Sequence, residues 1–179
     1  MDPGKNILDI GCGNGRDSIF FYKKGLSVTG LDYSEDAINR LNDKYRKIQG
    51  ITFVCDDFMK TNLFTDSKFD YCYCRFFIHA ITQKQENILL DRVYTGLKKE
   101  GKFFIEVRSI KDELYVRGKR VERNAFIYND HYRRFIVKDE IKENLEEKGF
   151  EIECIEESLG LAVFENYDPC IIRIVAKKV

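Results

Sequence analysis

The chain has no tryptophan, and in 179 residues it has only two prolines, two methionines and two histidines. With His79 and His131 as its whole supply of imidazole, and six cysteines that nowhere form a C-x-x-C pair, it lacks the spacing of a zinc site or a thioredoxin-like centre, and no metal is expected. Neither sign of charge is in excess. Thirty basic side chains cancel thirty acidic ones, so no general field draws in nucleic acid or an anionic membrane surface, and any anion must be recognised locally. No apolar run approaches the length that spans a bilayer, and the opening Met-Asp-Pro-Gly-Lys has neither the basic start nor the apolar centre of a secretory leader. The expected compartment is the cytoplasm. There Cys72 and Cys74, on one face of an expected strand, serve as small buried hydrophobes.

What is present is a globular composition, 44% apolar and 34% charged. The length reads as one domain, residues 1–179, able to bury roughly 70% of the surface of its unfolded chain. Its organising stretch runs from Asn6 to Ser34. Ile7, Leu8 and Ile10 form the short apolar run of a strand covered on both faces, and glycines follow at 11, 13 and 15. Arg16 to Lys24 suits a helix whose first amides face whatever rests on the turn. Ser27 to Leu31 suits a second strand, and Asp32 at its end is placed to accept from the two hydroxyls of a ribose. Strand, glycine turn, helix, strand and acid together make a nucleoside site. The dinucleotide fingerprint G-x-G-x-x-G is not met, because Arg16 follows Gly15.

The pattern Asp9-x-Gly11-x-Gly13-x-Gly15, with Asp32 closing the next strand, resembles the cofactor motif of the class I S-adenosylmethionine-dependent methyltransferases. The resemblance runs through nearly the whole chain. It implies S-adenosylmethionine as cofactor, held by Asp9, Gly11, Gly13, Gly15, Asp32 and the adjoining Tyr33. Phe53 to Phe58 is similar to the segment that holds adenine in this family, which implies Asp57, rather than Asp56, as acceptor for the exocyclic amine and Phe58 as apolar contact. The family also implies seven strands in the order 3-2-1-4-5-7-6, the last antiparallel and inserted. Helical residues usually precede the first strand in such proteins, whereas here Met1 to Lys5 do. Either the pocket is open or the chain belongs to a longer multidomain protein.

Along the rest of the chain, strand and helix alternate, which by itself predicts an α/β fold with a doubly wound parallel sheet. Ser34 caps a helix with Ile38, Leu41, Tyr45 and Ile48 on one stripe, ended by Gly50. Ile51 to Cys55 and Phe69 to Cys74 read as strands, Gln83 to Lys99 as a helix ended by Gly101, and Lys102 to Arg108 as a fifth strand. The segment 110–135 breaks the rhythm and is basic. It reads as a lid or insertion at the acceptor site, or as a surface hairpin. After a helix at Lys138 to Lys148, Phe150 to Glu156 and Cys170 to Ala176 pair as an edge hairpin.

Methyl transfer from a sulfonium is an in-line displacement, so the acceptor atom must be held opposite the leaving sulfur. A hydroxyl acceptor needs a base, whereas an anionic acceptor needs binding and orientation. Arg75, at the carboxyl end of the fourth strand, belongs to both the cofactor and the acceptor side. Arg108, His131, Arg133 and Arg134 complete a set rich in guanidinium, whose paired donors match phosphate or carboxylate. His79 has a core role or a catalytic one. The expected acceptor is therefore an anionic small molecule or a glycan terminus, such as a phosphorylated sugar. Within the family, Gly11 to Ser18 resembles the tellurite-resistance and thiopurine branch. By contrast, Arg75 to Ile81, His131 to Ile136 and Gly160 to Pro169 resemble methyltransferases of bacterial cell-surface polysaccharide assembly. Two other classes share the fold: a nicotinamide-dependent oxidoreductase, and a cofactor-binding module that transfers nothing.

Overall fold

The apolar run at Ile7, Leu8 and Ile10 forms β1 (Asn6–Ile10), whose last four residues are all buried. The glycine turn leads into α1 (Arg16–Lys23), and β2 (Ser27–Asp32) returns alongside β1. The Ser34 hydroxyl accepts from the Ala37 amide at 3.3 Å and starts α2 (Glu35–Tyr45). Then come β3 (Ile51–Cys55), β4 (Phe69–Arg75), a 3₁₀ turn at Ile78–Ala80 and α3 (Gln83–Gly96). Thr82 and Gln85 close a reciprocal capping box on α3. β5 (Leu97–Arg108) precedes three short strands, β6 (Lys119–Glu122), β7 (Ala125–Tyr128) and β8 (His131–Arg134). α4 (Lys138–Glu147), β9 (Phe150–Ser158) and β10 (Ile171–Lys178) complete the chain. These elements come from a computed structural model that describes residues 1–179.

The main sheet has seven strands in the order β3-β2-β1-β4-β5-β10-β9, with β10 antiparallel to both of its neighbours. This is the expected 3-2-1-4-5-7-6 topology with the small strands set aside. The hairpin of β9 and β10 is placed so that the last strand lies inside the edge. Two apolar layers flank the sheet. Leu8, Ile10 and Cys72 pack with Leu89, Val93 and Leu145 on the α3 and α4 side, while Ile7 and Val28 pack with Phe21, Ile38 and Leu41 under α1 and α2. Cys72 and Cys74 are fully buried, as expected of small hydrophobes, and burial pushes both thiols above their usual range.

Two helix ends and one segment depart from the sequence reading. α2 ends at Tyr45, and Ile48 lies outside it and exposed, because the chain tightens into a turn closed by the Ile48 amide on the Tyr45 carbonyl at 2.8 Å. α3 ends at Gly96 rather than Lys99, since the fully buried Leu97 leaves the helix to pair with Phe69 on β4. The segment 110–135 holds a three-stranded antiparallel sheet, β6-β7-β8, beyond the hairpin or lid foreseen for it. Its β7–β8 turn consists of Asn129 and Asp130, both at positive φ, the two-residue turn whose twist matches antiparallel strands.

Candidate functional site

In the strand order, β1 and β4 are the neighbours from which the chain winds away in opposite directions, and the segments after both strands meet at this switch point. The Gly11 and Cys12 amides donate to the Leu31 carbonyl at 2.8 and 3.0 Å, which bends the chain back over β2. Gly11 has φ of 73°, and a Cβ there would stand 2.5 Å from Phe77 Cδ2, so both backbone and space require glycine. Gly13 differs: its φ is 52°, yet a Cβ would meet no heavy atom within 4 Å, so the turn presents bare backbone to open space. Gly15, at φ of 76°, caps α1 and packs toward Leu41 rather than toward a cavity.

Asp32 ends β2 with both carboxylate oxygens oriented by the backbone. Oδ2 accepts from Gly13 N at 2.8 Å and Oδ1 from Ser34 N at 2.9 Å, so each oxygen keeps further acceptor capacity, and the residue lines a cavity. That cavity, of about 300 Å³, brings together Gly11, Asp32, Tyr33, Asp57, Phe58 and Phe77, with Asp56 also on its wall. Asp57 Oδ1 is fixed by the Met59 amide at 2.9 Å, and Phe58 stands edge to face with Phe77 at 5.1 Å. A second recess of about 240 Å³ opens on the other side of Gly11, between Gly13, Asp17, Arg75 and Phe76. Five of the residues expected to hold a cofactor thus line one cavity, and Gly11, Gly13 and Arg75 line the recess beside it.

Asp9 lies elsewhere. It is buried beneath the turn, where it accepts from the Ser18 hydroxyl at 2.5 Å and fastens β1 to α1. Burial raises its pKa to about 7, against the lowering effect of the Ser18 bond. Its position supports the turn without facing either cavity.

The acceptor candidates separate. Arg75 donates from Nε to Glu106 Oε1 at 2.5 Å and stands 3.6 Å from Asp17, between two carboxylates at the mouth of the second recess. Phe76 follows at φ of 52°, a strained conformation for an aromatic residue that costs about 1–3 kcal/mol. Its ring lies 4.9 Å from the Arg75 guanidinium carbon and 5.4 Å from that of Arg108. Arg134 is buried and donates inward to the Ile81 carbonyl, Gln83 Oε1 and the Glu86 carboxylate, so its guanidinium fastens β8 to α3 and the turn before it. His131 is exposed on β8, and Arg133 stacks 5.9 Å over Tyr128. The expected set of five therefore does not line one cavity: Arg75 borders the recess beside the glycine turn, whereas Arg134 is turned inward on Glu86. A larger cavity of about 440 Å³ sits by Arg134, Glu86, Glu140 and Asn144, away from the glycine turn.

Arg108 and His79 flank Phe76 instead, and Asp112 and Tyr167 hold Arg108. The His79 ring packs against Phe76 at 5.6 Å, and burial, then the charges of Arg108, Arg133 and Arg134, push its pKa down to about 3, so the ring is neutral. Asp112 and Tyr167 carried no signal of their own in the sequence. Phe76 and Phe77 had one, since they follow directly on a buried strand at the ligand-binding edge of the sheet.

An α/β sheet with a glycine turn at its switch point and a carboxylate at the end of the second strand defines a nucleoside-cofactor protein. The model of the methyltransferase domain matches residues 7–101, and the chain belongs to that family. Among curated relatives, it is 34% identical over 118 residues to a ubiquinone biosynthesis O-methyltransferase of Glaesserella parasuis, covering 57% of this chain and 44% of that protein. The chain spans about half the length of the curated relatives it matches. Among solved structures, a SAM-dependent methyltransferase of Methanosarcina mazei superposes with a TM-score of 0.86 at 22% identity, covering 100% of this chain and 94% of that one. The 1,6-didemethyltoxoflavin-N1-methyltransferase of Burkholderia thailandensis, solved with S-adenosylhomocysteine, gives 0.76 at 19% identity, covering 99% and 72%. At these identities the solved structures speak for the fold.

Proposed function

We propose that the chain binds S-adenosylmethionine and transfers its methyl group to an anionic small molecule or glycan terminus. The observation that carries this reading is the shared cavity of Asp32, Asp57 and the glycine turn. Both carboxylates line that cavity, Asp57 beside Phe58, and Gly13 has no side chain to obstruct approach; in this reading Asp32 grips the ribose diol and Asp57 accepts from the adenine amine. The cofactor, when bound, supplies an electrophilic methyl on a sulfonium. This chain's own residues do the rest. Asp32, Tyr33, Asp57 and Phe58 bind and orient the nucleoside, and the Gly11 to Gly15 turn provides backbone amides. Phe58 and Phe77 exclude water from the adenine end. Asp9 holds the turn against α1 from beneath.

Arg75 lines the second recess, which shares Gly11 with the cofactor cavity, and from there it steers an anionic acceptor toward the methyl. Arg134 supports the site by fastening β8. The reading predicts that isotope-labelled methyl from S-adenosylmethionine is transferred to at least one member of a panel of sugar phosphates, glycan termini and carboxylic acids. Transfer confined to uncharged acceptors would remove the anionic part of the proposal.

A further inference from the structure

Arg134 ends β8, yet all three nitrogens of its guanidinium are spent on residues 78–86. Nε donates to the Ile81 carbonyl at 3.0 Å, Nη1 to Gln83 Oε1 at 2.8 Å, and Nη2 to the Ile78 carbonyl at 3.5 Å and to the Glu86 carboxylate. The other Glu86 oxygen accepts from Asn144 Nδ2 at 3.1 Å, which fixes the pair against α4. The same residues form part of two cavities. Gln83 and Glu86 line the larger one, whereas Ala80, Ile81 and Gln85 line the cofactor cavity together with Asp57 and Phe58. Ile81 is the link, because it lines the cofactor cavity while no main-chain amide donates to its carbonyl, leaving that to Arg134 Nε. It is buried and extended, with φ of −121° and ψ of 156°, as the joint between the 3₁₀ turn and the Thr82 cap of α3. Without the arginine, a buried carbonyl would lose its donor and the joint would be free to shift.

We propose that Arg134 is a positioning residue for the cofactor: through the Ile81 carbonyl it sets the wall formed by Ala80, Ile81 and Gln85, and so ties cofactor affinity to the docking of the small sheet. This rests on the methyl-transfer reading above and deepens it. The tie acts on equilibrium binding and is therefore reciprocal. A cofactor that holds Ile81 in place also holds Arg134, and with it β8 and the β7 strand paired to it, where Ala125 stands opposite Arg134. Occupancy of the nucleoside cavity is thereby passed to the segment that the sequence marked as a lid, over a path of one side chain.

The test is calorimetry with S-adenosylhomocysteine on the full-length chain and two variants, each well below its unfolding temperature, with amide hydrogen exchange read alongside. Arg134→Lys keeps a cation beside Glu86 and gives up the bonds to Ile81 and Gln83, so folding is retained. Phe150→Ala opens the core beside Tyr94 and Phe103, where β9 pairs with the end of β10 and away from the cofactor cavity, and serves as a destabilised control. Arg134→Lys is expected to bind roughly tenfold more weakly, the worth of one buried hydrogen bond, while the control stays within about twofold of the wild type. Its Ala80 and Ile81 amides should exchange faster. In the wild type the ligand should slow exchange at Ala125 and Phe126, and in Arg134→Lys that slowing should vanish. Unchanged affinity in Arg134→Lys, an equal loss in Phe150→Ala, or slowing at Ala125 and Phe126 that persists in Arg134→Lys would each overturn the proposal. If the wild type binds no S-adenosylhomocysteine, the methyl-transfer reading falls, and unaltered exchange at Ala80 and Ile81 in Arg134→Lys would sink this proposal separately.

Discussion

The two halves of the ligand-binding edge are built by different means. On the side of β1 to β3, recognition rests on backbone: a turn of three glycines at positive φ, and an Asp32 carboxylate whose two oxygens are fixed by main-chain amides. On the side of β4, β5 and the segment that follows, it rests on long side chains, Arg75, Arg108 and Arg134, each held by carboxylates. Backbone sites depend on a local run of sequence and tolerate little variation in it. Side-chain sites depend on residues far apart in the chain, and can be rebuilt for another acceptor while the fold is kept. The family match, which covers residues 7–101, takes in the whole of the first half and, of the three arginines of the second, Arg75 but neither Arg108 nor Arg134.

The sharpest way to test that division is to break the fastening of the second half. Arg134→Ala leaves the buried Glu86 carboxylate without its guanidinium and should cost about 3–5 kcal/mol in urea unfolding, as expected for a broken buried pair. A loss below about 1 kcal/mol would mean that β8 is held by other contacts. In the first half, Asp32→Ala removes charged acceptors from the cofactor cavity and should weaken S-adenosylhomocysteine roughly 10- to 100-fold in calorimetry. An unchanged dissociation constant would refute the assigned role. Gly11→Ala forces Phe77 to move and places alanine at φ of 73°; a stability loss of about 1–2 kcal/mol is expected, together with weaker cofactor binding.

Smaller effects separate the halves by pH. The folded Asp9 carboxyl keeps its proton up to about 7, whereas its unfolded value is 3.8, so between these values the native state binds more protons and loses stability as pH rises. Asp9→Asn should therefore gain on the wild type across that window, by at least about 1 kcal/mol above it, in thermal unfolding at several pH values. His79 runs the other way. Its pKa is depressed from 6.5 to about 3, the native state binds fewer protons between them, and stability rises with pH. A pH-independent difference between Asp9→Asn and the wild type would contradict the burial assigned to Asp9. The smallest effect belongs to His131→Ala, exposed on a short strand, which should change stability by less than about 0.5 kcal/mol. A lost limb in the pH–rate profile of methyl transfer would instead restore it as a base.

Legibility in the sequence follows the same division. Ile7 to Asp32 declared itself because strand, turn and helix are each encoded within a few neighbouring residues, and the sheet order followed from alternation together with the family resemblance. The small sheet was missed although Asn129-Asp130 is a two-residue turn signal, since its strands are four residues long and too short for period-two alternation to register. Arg134 looked like a ligand residue by type. Only the fold reveals Glu86, 48 positions away, as its partner. Asp112 lies four positions after Arg108, but Tyr167 reaches the pair from 59 positions away, and no spacing could have joined it to them.

The most direct test of the central claim is calorimetric titration of the unmodified chain with S-adenosylhomocysteine beside NADH. Binding of the first alone, at one site per chain, is the predicted result. Binding of NADH in preference, or of neither, would contradict the assignment of the Gly11 to Gly15 turn, Asp32 and Asp57 to a methyl donor.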